Sequence, residues 1–167
     1  MKKIIFLLLT GYLALFIAAC GEGPVAVVGN PAPRLDTVDM KGDVWSLSKH
    51  KGQVVFVNFW ATWCAPCREE MPSMQKLYDK LPKDKFKMVA LYNRDKPELV
   101  KNFINKLGLT IPILSDESNI IGARYGITGL PETFIIDKQG VIREKIIGPA
   151  QWDSPENIEM LTKYINE

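Results

Sequence analysis

The chain has 167 residues, 47% hydrophobic and 24% charged, and its 21 basic and 19 acidic side chains leave a formal charge of +2. That length and apolar content suit one globular domain with a sizeable core. A charge so close to neutral gives no electrostatic case for nucleic acid, and no internal repeat or low-complexity segment appears.

The first twenty residues, MKKIIFLLLTGYLALFIAAC, carry two lysines, an apolar run from Ile4 to Ala19, and a cysteine. The run falls short of the roughly 20 residues that span a bilayer, and Thr10 and Gly11 interrupt it. Small residues precede its end, so residues 1–19 read as an export signal. Ile17-Ala18-Ala19-Cys20 resembles a bacterial lipoprotein lipobox, which implies acylation of Cys20 and a lipid-anchored mature N-terminus. An uncleaved signal anchor is the alternative, and both readings put the domain outside the cytoplasmic membrane. Without Lys2 and Lys3, nineteen basic residues face nineteen acidic ones. Residues 20–33 are rich in Gly and Pro and read as a flexible tether, with the folded domain expected over 34–167.

Polar-apolar alternation from Leu35 to Ser48, broken at Lys41-Gly42-Asp43, predicts a β-hairpin. VVFVNFW, 54–60, is a continuous β-branched and aromatic run, the pattern of a strand buried on both faces. From Cys64 onward the pattern turns helical, with Met71, Met74, Leu77, Tyr78 and Leu81 at 3–4 spacing and an internal Pro72 that predicts a kink. FKMVALY, 86–92, predicts a second buried strand. A helix over Pro97–Leu107 follows, with Leu99, Val100, Phe103, Ile104 and Leu107 on its inner face and Gly108 as its stop. A short extended piece at 111–114 leads to a helical turn at 119–125. TFIID, 133–137, and VIREKII, 141–147, form an antiparallel hairpin, and Ser154 with Pro155 opens a last helix to Ile165. The fold class expected is α/β, a three-layer sandwich with a mixed central sheet.

FWATWCAPCREE, 59–70, holds the chemistry. Zinc would need two more ligands, yet there is no second cysteine pair and His50, read as a surface loop residue, is the one histidine. Covalent haem attachment needs a histidine after the second cysteine, where Arg68 stands. A structural bridge across two residues would constrain little of the unfolded chain. A redox dithiol fits best, because Cys64 sits where a strand ends and a helix begins, and helix-end amides and dipole favour a thiolate. No metal and no cofactor is expected.

VNFWATWCAPCREEMP together with YGITGLPETFIIDKQG, 125–140, resembles the thioredoxin superfamily, in particular its extracytoplasmic TlpA, ResA and CcmG branch. The hairpin KGDVWSLSKHKGQ fits the same branch, and the resemblance covers roughly residues 33–166. It implies a thioredoxin-like fold in which Cys64 is the exposed attacking thiol, Cys67 the resolving one, and Pro131, after Leu130, a cis-proline that presents an extended substrate to the dithiol. Cytoplasmic thioredoxins carry a buried aspartate six residues before the first cysteine; this chain has Asn58 there. Glu70 matches a glutamate that lies behind the dithiol in the ResA-like and CcmG-like proteins. One helical turn from Cys67, its charge would discourage thiolate formation; a solvated surface acid is the alternative. Glu132 matches the CcmG-like pattern and is expected to shape the partner groove, or else to be a solvated loop acid. Trp63, Ala65, Pro66 and Leu130 complete the expected contact surface, with Trp60, Met71 and Met74 in the core.

Strong oxidants of this superfamily usually carry a histidine between the cysteines, whereas this chain has Ala65-Pro66. The resemblance therefore implies a reductant of partner disulfides, supplied with electrons by a CcdA-like or DsbD-like membrane protein, with apocytochrome c the commonest substrate in the branch. A general extracytoplasmic thiol reductase, an antioxidant protein, and a lipid-anchored binding module stay open. A peroxiredoxin-type activity lacks the separate peroxidatic cysteine it would need.

Overall fold

A computed structural model describes residues 26–167. The expected export signal, Cys20 and the first part of the expected tether lie outside the described residues. In chain order the elements are β1 (Asp36–Val38), β2 (Val44–Ser46), a 3-10 turn (Leu47–His50), β3 (Val54–Trp60), α1 (Ala65–Lys80), β4 (Phe86–Asn93), α2 (Pro97–Leu107), β5 (Ile113–Asp116), α3 (Ile120–Tyr125), β6 (Glu132–Ile136), β7 (Ile142–Ile147) and α4 (Pro155–Asn166). β1 and β2 form the antiparallel hairpin, and the other five strands form one sheet in the order β5-β4-β3-β6-β7. β3 is central, parallel to β4 and antiparallel to β6.

Every residue of β3 is buried, and its period of two divides the core into two halves. Val54, Phe56 and Trp60 face a cluster built with Met71, Met74 and Leu77 of α1, Val100 of α2 and Leu161 of α4. Val55, Val57 and Phe59 face the other side, against Leu35, Ile121 and Tyr125. Helices α1, α2 and α4 thus form one layer, and α3 with the N-terminal segment forms the opposite one. Asn58 falls on the α1 side by the same alternation, the one amide among the inward side chains of the strand. The expected fold class, a thioredoxin-like α/β sandwich with an N-terminal hairpin, is the one observed.

α1 runs unbroken through Pro72, which sits on its exposed side. Two local expectations change. On α2 only Val100, Phe103 and Ile104 turn toward the sheet; Leu99 and Leu107 are exposed. Leu99 lies about 100° round the helix from Val100, and Leu107 is in the last turn. Residues 26–33, expected as tether, are laid along the edge of β7 instead. Gly29 N donates to Ile142 O at 2.8 Å, Ile142 N to Asn30 O at 2.9 Å, and Ala32 N to Gly140 O at 2.8 Å, while Ala26 is buried. Gly and Pro composition suggested a linker, but an open strand edge supplies partners to any extended neighbour, Pro included. A chain starting at Arg34 is expected to be less stable than one starting at Ala26 by about 2–3 kcal/mol, the net worth of three backbone hydrogen bonds, in urea denaturation.

Candidate active site

β3 ends at Trp60, and four residues later Cys64 caps the N-terminus of α1. Ala65 and Pro66 occupy the first turn, where a proline's missing N–H is no loss. Cys64 and Cys67 are joined in a disulfide. Cys64 Sγ also accepts from Cys67 N at 3.3 Å, so a helix-end amide points at this sulfur. Cys67 has no exposed surface and Cys64 keeps 6% of its own, less than the exposed thiol expected, since its Sγ is turned inward onto Cys67. Beside it Trp63 is 60% exposed and Ala65 is exposed, as a contact surface requires, while Trp60 is fully buried against Phe103.

The loop that carries the dithiol is pinned from β4's side. Thr62 N donates to Asp95 Oδ2 at 2.5 Å and the Trp63 indole N–H to Arg94 O at 3.3 Å. Arg68, in the first turns of α1, donates back to Thr62 O at 2.6 Å.

Glu70 is buried at 3% exposure, one turn beyond Cys67, not solvated. Its Oε1 accepts from Asn58 Nδ2 at 2.9 Å; its Oε2 accepts from Trp152 Nε1 at 2.9 Å and Ala150 N at 3.1 Å. Burial pushes the carboxyl above its ordinary range, against the opposing pull of the donors from Trp152, Ala150 and Asn58. Ser73 ties the same loop down: its hydroxyl donates to Glu70 O at 2.8 Å and accepts from Trp152 N at 3.1 Å.

On the other flank the Leu130–Pro131 bond is cis, and Pro131 is buried. Phe59 pairs with Glu132, which places Pro131 at the end of the sheet from which the dithiol loop departs. Pro131 O accepts from Gly148 N at 2.9 Å, and Leu130 is half-buried between the two core clusters. Glu132 departs from both of its expected roles. Fully buried, it cannot line a groove or stand in solvent. Its Oε1 accepts from Thr128 N, Thr128 Oγ1 and Gly129 N at 2.8, 3.0 and 3.1 Å, and Lys145 Nζ lies 3.2 Å from Oε2. Burial would raise its pKa, but the Thr128 and Gly129 amides and Lys145 outweigh that and hold the carboxyl below its ordinary range. Glu132 therefore shapes the turn before the cis-proline from beneath.

Residues 28–145 match the AhpC/TSA family. A chain from Bacillus thuringiensis (strain Al Hakam) named thiol-disulfide oxidoreductase ResA is 38% identical over 149 residues, 88% of this chain and 86% of its own length. The chain belongs to the AhpC/TSA family, among thiol-disulfide oxidoreductases of the ResA type. The thioredoxin-like protein YneN of Bacillus subtilis (strain 168) is 41% identical over 72% of this chain and 71% of its own. Among solved structures, a thiol:disulfide interchange protein DsbE from Chlorobium tepidum superposes with a TM-score of 0.71 at 28% identity, covering 84% of this chain and 96% of that one. StoA from Bacillus subtilis gives 0.66 at 29% identity over 80% and 96%. The redox dithiol inferred from spacing is thus the Cys64–Cys67 pair of a ResA-type enzyme.

Sequence reasoning missed Trp152, Ala150, Thr133, Asp95 and Lys145, all of them partners supplied from distant segments. A tryptophan in an otherwise polar loop was the one trace of Trp152, and nothing local marks the others. Glu132→Ala is expected to cost about 3 kcal/mol at neutral pH, since three hydrogen bonds go and Lys145 loses its partner. Because the native carboxyl titrates below its unfolded value, that contribution is whole above the ordinary carboxylate range and fades as pH falls through the lowered one. The gap between wild type and variant, followed by urea denaturation, therefore narrows in acid.

Proposed function

We propose that this ResA-type oxidoreductase works outside the cytoplasmic membrane as a reductant of disulfides in partner proteins. The observation that carries the direction is Glu70, an acid buried one turn behind Cys67 with uncharged Ala65 and Pro66 between the cysteines. A negative charge there opposes the thiolate, and it is stabilisation of the thiolate form that makes a strong oxidant. The N-terminal sequence supports the location: an export signal over residues 1–19 and a lipobox ending at Cys20, with the lipid on Cys20 as the membrane anchor.

In the reduced enzyme, Cys64 as thiolate attacks one sulfur of the partner's disulfide. The partner's S–S bond breaks, its other sulfur leaves with the electron pair, and a mixed disulfide holds the two proteins together. Cys67 loses its proton and attacks Cys64 Sγ, and the partner's second sulfur departs and is protonated. Two electrons and two protons have passed to the partner, and the Cys64–Cys67 disulfide remains. Trp63, Ala65, Pro66 and Leu130 form the contact surface, and Pro131, with no N–H of its own, leaves main-chain pairing with an extended substrate to its neighbours. A CcdA-like or DsbD-like membrane protein returns the electrons. Apocytochrome c, whose cysteines must be reduced before haem is attached, is the substrate class we favour.

Reduction of insulin by residues 26–167 is expected, and its loss in Cys64→Ser. Absence of exchange with any disulfide would leave only the binding-module reading. Cys67→Ser is expected to hold partners on Cys64 as mixed disulfides identifiable by mass spectrometry; unrelated proteins in place of apocytochromes would make the enzyme a general reductase. A measured potential above about −150 mV, toward the value of strong oxidants, would reverse the direction assigned.

A further inference from the structure

Glu70 has three hydrogen-bond donors, and they differ in one respect. Ala150 N and Trp152 Nε1, both on Oε2, are a backbone amide and an indole. Neither can do anything but donate. Asn58, on Oε1, is a primary amide with a donor on one branch and an acceptor on the other. A proton arriving at Glu70 therefore has one place to go. On Oε2 it would face two N–H groups; on Oε1 it faces a group that can turn round.

The amide has a second constraint. Its Nδ2 donates to Glu70 Oε1 and to Thr133 Oγ1, both at 2.9 Å, so both hydrogens are used. Its Oδ1 is buried with no hydrogen-bond partner. An acceptor left dry in a core is costly, and such groups in native structures call for a reason. The charge on Glu70 supplies one: a carboxylate can only accept, so the amide must present its nitrogen. When Glu70 is protonated, a half-turn about the terminal torsion exchanges Nδ2 for Oδ1 with the heavy atoms in place. Oδ1 then accepts from the Glu70 hydroxyl, and the Thr133 hydroxyl changes from acceptor to donor.

We propose that Asn58 is a positioning residue of the dithiol site, an amide whose two orientations accommodate the charged and the neutral forms of Glu70. It rests on the reading of Glu70 as the acid that opposes the thiolate. One proton, drawn from solvent, is taken up at Oε1 and no other covalent bond changes. Thr133 lies on β6 two residues after Pro131, so the reversal runs from the acid behind Cys67 to the strand that follows the cis-proline. The titratable and charged groups around this network are the two cysteines at the start of α1, the Glu132–Lys145 pair beside Thr133, and the Lys76–Asp153 pair beside Trp152. Glu132 and Asp153 are both held below the ordinary carboxylate range, so they remain charged where Glu70 titrates.

Two readouts test this on the reduced protein. The first is the pH profile of Cys64 alkylation by iodoacetamide. Glu70→Gln, which offers Asn58 an N–H as the protonated acid would, moves the midpoint down. Asn58→Ala removes a donor from the carboxylate and keeps Glu70 neutral to higher pH. It is expected to move the midpoint down by about half a pH unit, roughly threefold in thiolate fraction. In the Glu70→Gln background the Asn58→Ala shift vanishes. A shift of equal size in both backgrounds would mean that Asn58 acts without Glu70, and would overturn the proposal. Should Asn58→Ala fail to fold, Thr133→Val removes the amide's second partner at nearly constant volume and takes the same test. The second readout is the Asn58 side-chain amide in a nitrogen-15 NMR titration. Its signals are expected to follow pH in the wild type and to be flat in Glu70→Gln; flat signals in the wild type also overturn the proposal. An alkylation profile unmoved by Glu70→Gln would sink the reading of Glu70 itself, and the amide titration then decides Asn58 separately.

Discussion

The arrangement around the dithiol depends on one buried carboxylate. Glu70 is on α1, but its partners come from β3 and from the loop between β7 and α4. A charge placed in a core is tolerable only where donors surround it, and the fold has brought three from two segments far apart in the chain. Gly148 at the start of that loop donates to Pro131 O, and Asn58 reaches Thr133 two residues past Pro131. The acid and the cis-proline are thereby linked on two sides, through Asn58 and Thr133 and through the loop from Gly148 to Trp152. Raising the pKa of Glu70 costs the folded state: below the unfolded carboxylate range nothing is lost, and stability falls as pH rises through the raised native value. The site accepts that loss in order to keep an acid behind a thiol.

Central strand β3 explains why such a network fits inside a core. Its even-numbered residues face α1, and three of the four are Val54, Phe56 and Trp60. Asn58 is the exception, and it meets the acid across the interface between sheet and helix. Moving the strand by one residue would turn Asn58 to the α3 side and leave Glu70 with one partner fewer, so the apolar alternation that sets strand register also aims the amide.

The strands and helices were legible because their patterns are local. VVFVNFW could only be a buried strand, and Pro97 with Gly108 bounded α2 to the residue. The dithiol was legible for a similar reason: two cysteines, one spacing, one strand-to-helix junction. The position of Glu70 behind the dithiol followed from the resemblance and agrees with one helical turn from Cys67, but its surroundings were not legible. Asn58 read as a missing aspartate, whereas the structure makes it the partner of a carboxylate that has moved to the helix. Glu132 was misjudged because a single acid after a proline carries no sign of Lys145 thirteen residues later. The segment from Ala26 was misjudged because its Gly and Pro residues describe its flexibility in isolation and say nothing of the vacant strand edge beside it.

That segment has a geometric consequence. It joins the sheet at Gly140–Ile142, and Ile142 is aligned through Ile136 with Val55, near the start of β3; the cysteines follow the strand's other end. Seven residues of extended chain separate the two poles, about 20 Å. Residues 29–32 therefore cover the β7 edge at the pole opposite the sulfurs, so a contact made on this edge and one made on Cys64 would stand at opposite ends of the sheet.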